Sequence, residues 1–193
     1  MFKYILLMLL SAGCAAELTT SETDSKSSIE DDSWITWDTC SSKPNDHPCD
    51  FKLKDHNGND WSLYENYETT MVLDFSTMWC GVCVNIAPHA QDLTDKYISE
   101  GHDFLWVTIL IENQYGEPPT QQDLNNWRDI FGMTSSPVLA GSRDLIDLNA
   151  EEGFPITSWP TLIIINKEMV LTNGINGWNE SVVTGWIDQA LGI

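Results

Sequence analysis

At 193 residues and 42% hydrophobic composition, the chain is long enough for one compact domain with a buried core, plus an extra segment at one end. Nine Lys and Arg against 29 Asp and Glu give a formal charge of −20 at pH 7. Such a charge repels phosphate backbones, so nucleic acid is not an expected partner, and the acidity reads first as a means of solubility.

The chain opens with Met-Phe-Lys, continues nearly all apolar from Tyr4 to Leu10, and then reads Ser11-Ala12-Gly13-Cys14-Ala15-Ala16, a secretory signal pattern. The apolar run is far shorter than the roughly 20 residues that a membrane-spanning helix needs. Its small residues ending at Cys14 resemble the lipobox of bacterial lipoproteins, although Ser11 stands where Leu is usual. The expectation is a signal peptide over 1–13 and a lipidated Cys14 that holds the protein at a membrane surface, with ordinary signal cleavage and an uncleaved or cytosolic start as the alternatives. Residues 14–33 shift to Ser, Thr, Glu, Asp and Lys, which cannot support a core and predict a flexible tether. Some 20 such residues span roughly 25 Å root-mean-square.

A single domain is expected over 34–193. Phe51 to Lys54 and Trp61 to Leu63 flank a turn containing Asn57-Gly58, which predicts a hairpin. Met71 to Phe75 and Phe104 to Ile111 are apolar runs of buried-strand length, and Cys83 to about Ser99 carries apolar residues at helical intervals. Gln121 to Phe131 reads as a helix and Pro137 to Ala140 as a short extended piece. Thr161 to Ile165 and Val170 to Ile175 flank Asn166-Lys167-Glu168 as a second hairpin, and Asn179 to Leu191 closes the chain as a helix. Strands alternating with helices predict an α/β sandwich around a mixed sheet.

The chemistry concentrates at Trp79-Cys80-Gly81-Val82-Cys83. Two cysteines three apart at a helix start place the first sulfur beside unpaired N–H groups and the positive helix end, which favours thiolate; Cys80 is therefore the expected nucleophile. Cys83, one turn inward, is placed to resolve a mixed disulfide. A zinc half-site has the same spacing, but no second cysteine pair or His pair at finger spacing accompanies it, and no metal is expected. With Cys14 lipidated, Cys40 and Cys49 form the other pair. They bracket a turn-rich segment, so a structural disulfide is expected, with a second redox pair and a metal site with His47 as alternatives. Asp74 lies in an apolar run, where burial would raise its pKa.

Val72-Leu73-Asp74-Phe75 ahead of this cysteine segment, Pro88 within the following helix, and Ser158-Trp159-Pro160-Thr161 before an apolar strand together resemble the thioredoxin superfamily, in particular its TlpA-like and redoxin branch. The likeness runs from about Cys49 to the C-terminus. It implies a thioredoxin-like three-layer sandwich, a central mixed β-sheet flanked by helices, with the N-terminal β-hairpin as an extension. It also implies a cis bond before Pro160, a substrate groove lined by Trp79, Trp159 and Pro160, and proton exchange between Asp74 and Cys83. The activity implied is thiol-disulfide exchange on exported proteins by a Cys-Gly-Val-Cys dithiol. Its expected direction is reduction, with a membrane electron donor and no organic cofactor. Two other readings stand beside it. A peroxiredoxin-type peroxidase fits Thr77 but not Leu73, and a copper chaperone would use the two thiolates for Cu(I).

Overall fold

The computed structural model describes residues 34–193; the signal peptide, Cys14 and the tether expected over 1–33 lie outside the described residues. The compact unit spans Trp37–Ile193, and none of its helices is long and apolar enough to cross a membrane. A hairpin of β1 (Lys52–Lys54) and β2 (Asp60–Ser62) precedes β3 (Thr70–Thr77). Then come α1 (Gly81–Ser99), β4 (Phe104–Glu112), α2 (Gln121–Phe131), β5 (Val138–Ala140), β6 (Thr161–Ile165), β7 (Leu171–Asn176) and α3 (Glu180–Leu191).

The main sheet has the order β5-β4-β3-β6-β7. β4 runs parallel to β3 and β5, while β6 is antiparallel to β3 and β7. β3 occupies the centre because all its residues are buried, and a continuous apolar run is what two covered faces require. Its alternation separates two cores. Val72 joins Trp106, Leu110, Leu162 and Ile164 under the helices, whereas Met71, Leu73 and Phe75 join Val107, Ile109, Ile163 and Ile165 on the other face.

All three α-helices pack into the first core, α1 through Ile86, Ala90, Leu93 and Tyr97, α2 through Leu124 and Trp127, and α3 through Val183 and Ile187. Each fully buried side chain of Leu or Ile size contributes roughly 1.5–3 kcal/mol. The second face is covered by the hairpin, by 3-10 turns at Tyr64–Asn66 and Arg143–Leu145, and by Phe154 and Ile156. The three layers are those expected, with the second outer layer built of hairpin and turns among the described residues.

Local signals account for the element ends. The first hairpin turns at Gly58, whose φ of +85° is open to glycine, while Asp55 accepts the N–H groups of Asn57 and Asn59. Thr120 and Asp123 form a reciprocal cap on α2, Gly132 ends it in the left-handed region, and Asn179 caps α3. Cys40 and Cys49 are disulfide-bonded. The loop they close is tied to the start of β7, with Asn45 N–H donating to Leu171 O at 2.8 Å and Leu171 N–H to Asp46 O at 3.0 Å.

Candidate active site

At its last residue, β3 falls out of step with β4: Ser76 faces Leu110 and Thr77 faces Glu112, so Ile111 is skipped. A bulge of this kind bends the strand and re-aims the residues beyond it. The chain turns through Met78 and Trp79 into Cys80, which caps α1. Its Sγ accepts the Cys83 backbone N–H at 3.2 Å and its carbonyl accepts from Val84. No acidic residue occupies the first turn of α1.

Cys80 retains 8% of its surface, and Cys83 is fully buried behind it. Burial pushes the Cys83 thiol far above the ordinary range, and the adjoining Cys80 sulfur and Asp74 charge push the same way. The Thr77 backbone N–H and the Ser76 hydroxyl act against them. Cys83 is thus held as a thiol and needs a base before it can attack.

Asp74 lies on the helix-facing side of β3 and is 1% exposed. Burial raises its carboxyl from 3.8 to about 6, against hydrogen bonds from Ser76, Trp106 and Thr108. Ser76 Oγ donates to Oδ1 at 2.6 Å, while Trp106 Nε1 and Thr108 Oγ1 reach Oδ2 at 3.4 and 3.5 Å. Ser76 therefore meets both the acid and Cys83. Its place two residues after Asp74, on the same strand face, was visible in the sequence, but a serine at that spacing carries no distinctive signal.

At the start of the neighbouring strand β6, the Trp159–Pro160 bond is cis, as expected, and the Trp159 carbonyl lies 3.6 Å from Cys80 Sγ. The loop is braced by Thr161 Oγ1, which donates to Ser158 O at 2.7 Å, and by Gly177 N–H on Pro160 O at 2.7 Å. Trp79 stands at the rim, 46% exposed, and donates its indole N–H to Glu112 Oε2 at 2.8 Å. Glu112 in turn pairs with Arg143. Neither Glu112 nor Arg143 was singled out from the sequence, because 33 and 31 residues separate Glu112 from its two partners.

The fold therefore brings Asp74, Trp79, Cys80, Cys83, Trp159 and Pro160 together and leaves Cys40 and Cys49 elsewhere, with Cys49 Sγ near Glu151 O at 3.6 Å. His47 stacks on Trp37 at 3.6 Å and bonds Met169 O through Nδ1, so its ring is already engaged. His89 and His102 are half-buried against Trp178 and Tyr97. Among the described residues no group of three His, Cys, Asp or Glu side chains converges as metal ligands would.

A partly accessible sulfur at a helix start, backed by a buried thiol and a buried carboxyl, can exchange one disulfide for another and move the proton that the exchange requires. The Thioredoxin family model matches residues 54–115. Thiol-disulfide oxidoreductase ResA of Geobacillus thermodenitrificans is 27% identical over 136 residues, 70% of this chain; the chain spans 66% of the length of that curated relative. The exposed lipoprotein thioredoxin Etrx1 of Streptococcus pneumoniae superimposes with a TM-score of 0.58 at 24% identity, over 73% of this chain and 99% of that one. A thiol:disulfide interchange protein of the thioredoxin family from Chlorobium tepidum gives 0.57 at 17% identity, over 77% and 97%.

Proposed function

The chain belongs to the thioredoxin superfamily, and from that premise we propose that it is a thiol-disulfide oxidoreductase that reduces disulfides of exported proteins through Cys80 and Cys83. The observation that carries this reading is the pairing of a rim sulfur, Cys80, with a buried thiol, Cys83, next to the buried acid Asp74. The Cys80 thiolate attacks one sulfur of a substrate disulfide, forming a mixed disulfide and releasing the other sulfur as a thiolate, which takes a proton from solvent. Cys83 then gives its proton to Asp74 and attacks Cys80 Sγ. The second substrate sulfur leaves and takes up that proton, and a Cys80–Cys83 disulfide remains. Two electrons have passed to the substrate, and a dithiol donor restores the pair.

With a pKa of about 6, Asp74 is ionised in roughly nine molecules of ten at pH 7, so it is ready to accept the proton. Trp159 and Pro160 present backbone groups along the groove beside Cys80, where an extended substrate would lie. The reductant direction is supported by the Gly81-Val82 dipeptide, by Asp74 and by the likeness to the ResA relative. No organic cofactor takes part in this scheme.

The same reading places the protein outside the cytoplasm, anchored by lipid on Cys14 beside a membrane electron donor. The signal-like residues 1–13 and the likeness to an exposed lipoprotein support that placement. The test is the reduction potential measured against glutathione buffers. A reductant is expected near the thioredoxin value of about −270 mV, and a value near about −120 mV overturns the assignment. A Cu(I) titration run beside insulin reduction separates catalysis from metal carriage.

A further inference from the structure

Trp79 is held from behind by an ion pair whose carboxylate is buried and whose guanidinium reaches solvent. Its indole N–H donates to Glu112 Oε2 at 2.8 Å; Glu112 Oε1 accepts from Arg143 Nε at 2.5 Å and also meets Nη2 of the same guanidinium. The Glu112 side chain is 7% exposed and that of Arg143 66%. A carboxylate so far from water is tolerated only with a counter-charge and donors on both oxygens, and this arrangement supplies them.

The position of each partner has its own structural cause. The β-bulge that skips Ile111 draws Glu112 level with Thr77, and the Glu112 carbonyl accepts the Met78 N–H at 2.9 Å, immediately before Trp79. Arg143 arrives from β5 by way of Gly141, where an added Cβ would lie 2.7 Å from Ile109 Cγ2, so only glycine lets the chain pass this close over β4. Trp79 and the neighbouring Val82, 47% exposed, flank Cys80 as an apolar wall.

We propose that the Glu112–Arg143 pair is a positioning device that fixes the Trp79 ring as a wall of the substrate groove, setting affinity for protein disulfides rather than the rate of sulfur exchange. This rests on the oxidoreductase reading above. A tryptophan free to choose rotamers would have to be ordered each time a substrate chain binds, whereas one fixed in advance avoids that cost. Neither Glu112 nor Arg143 touches the reacting sulfurs; both act through the indole.

Steady-state insulin reduction with a dithiol donor tests the proposal on the full chain. Glu112→Gln, which breaks the ion pair, is expected to raise KM about three- to tenfold while kcat moves less than twofold, the effect of freeing one large side chain. Arg143→Met, a change at an exposed side chain that leaves the core intact, is expected to act in the same direction, and Arg143→Lys to restore most of the affinity. Trp79→Phe, which lacks the indole N–H, should raise KM by itself and make a further Glu112→Gln substitution silent. An unchanged KM in Arg143→Met, or effects that multiply in full in the Trp79→Phe, Glu112→Gln double variant, overturns the positioning role. A wild-type protein that does not reduce insulin at all sinks the oxidoreductase reading instead.

Discussion

Cys80 and Cys83 lie three apart at the mouth of α1 with both sulfurs free, whereas Cys40 and Cys49 lie nine apart in an irregular loop and are bonded to each other. The helix pair is buried, with its outer sulfur receiving a backbone N–H and its inner one beside a buried acid. The loop pair sits at the surface, in a segment also held by Ser41 N–H on His47 O at 2.8 Å and by the bonds to Leu171. Environment, and not residue type, separates the two pairs: a helix start and a buried acid adjoin the first, and the second has neither.

The comparison breaks most sharply at Cys80. Cys80→Ser is expected to lower insulin reduction by a factor of about 10³ or more, because the nucleophile is gone. Full turnover in that variant would remove the helix pair from the chemistry. Cys83→Ser is expected to cost about 10² in turnover and to leave a mixed disulfide with substrate, visible on a non-reducing gel, since nothing then resolves it.

Asp74→Asn sharpens the comparison through proton transfer. Loss of the acceptor is expected to slow resolution about 10²-fold, the scale of general base catalysis. The stability effect has a definite sign. The folded carboxyl binds its proton more tightly than the unfolded one, about 6 against 3.8, so its contribution is full below pH 3.8 and is lost as pH rises through about 6. Above that, the buried charge costs about 3 kcal/mol. Urea unfolding should therefore show Asp74→Asn gaining on the wild type between pH 4 and pH 6 and holding its gain above; a difference that does not vary with pH would mean an ordinary carboxyl.

The smallest effect is expected at the staple. Replacing both Cys40 and Cys49 by Ser should leave insulin turnover within twofold and destabilise the domain by about 2.5 kcal/mol, the loop entropy that a closure of this length removes from the unfolded chain. A collapse of turnover in a folded double variant would make the loop pair a redox partner of Cys80 and Cys83.

Much of the fold was legible in short-range patterns. β3, α1, β4, α2 and α3 appear within a few residues of where periodicity put them, and Asn57-Gly58 marked the hairpin. β3 and β4 each extend past the apolar run because Ser76, Thr77 and Glu112 are buried polar residues that hydropathy counts against a strand. Within the site, cysteine spacing pointed to Cys80 and Cys83, and family likeness to Asp74 and the cis Pro160.

The amino-acid order alone determined which segments are strands and helices and that two cysteines share the first turn of one of them, because periodicity and spacing act over a few residues. Only the tertiary structure decided that all three α-helices share one face, that Ser76 meets both Asp74 and Cys83, and that Glu112 and Arg143 stand behind Trp79. Those contacts depend on strand register and on one skipped residue at 111. A register is chosen by the energy of the whole packed sheet, and local sequence does not carry it.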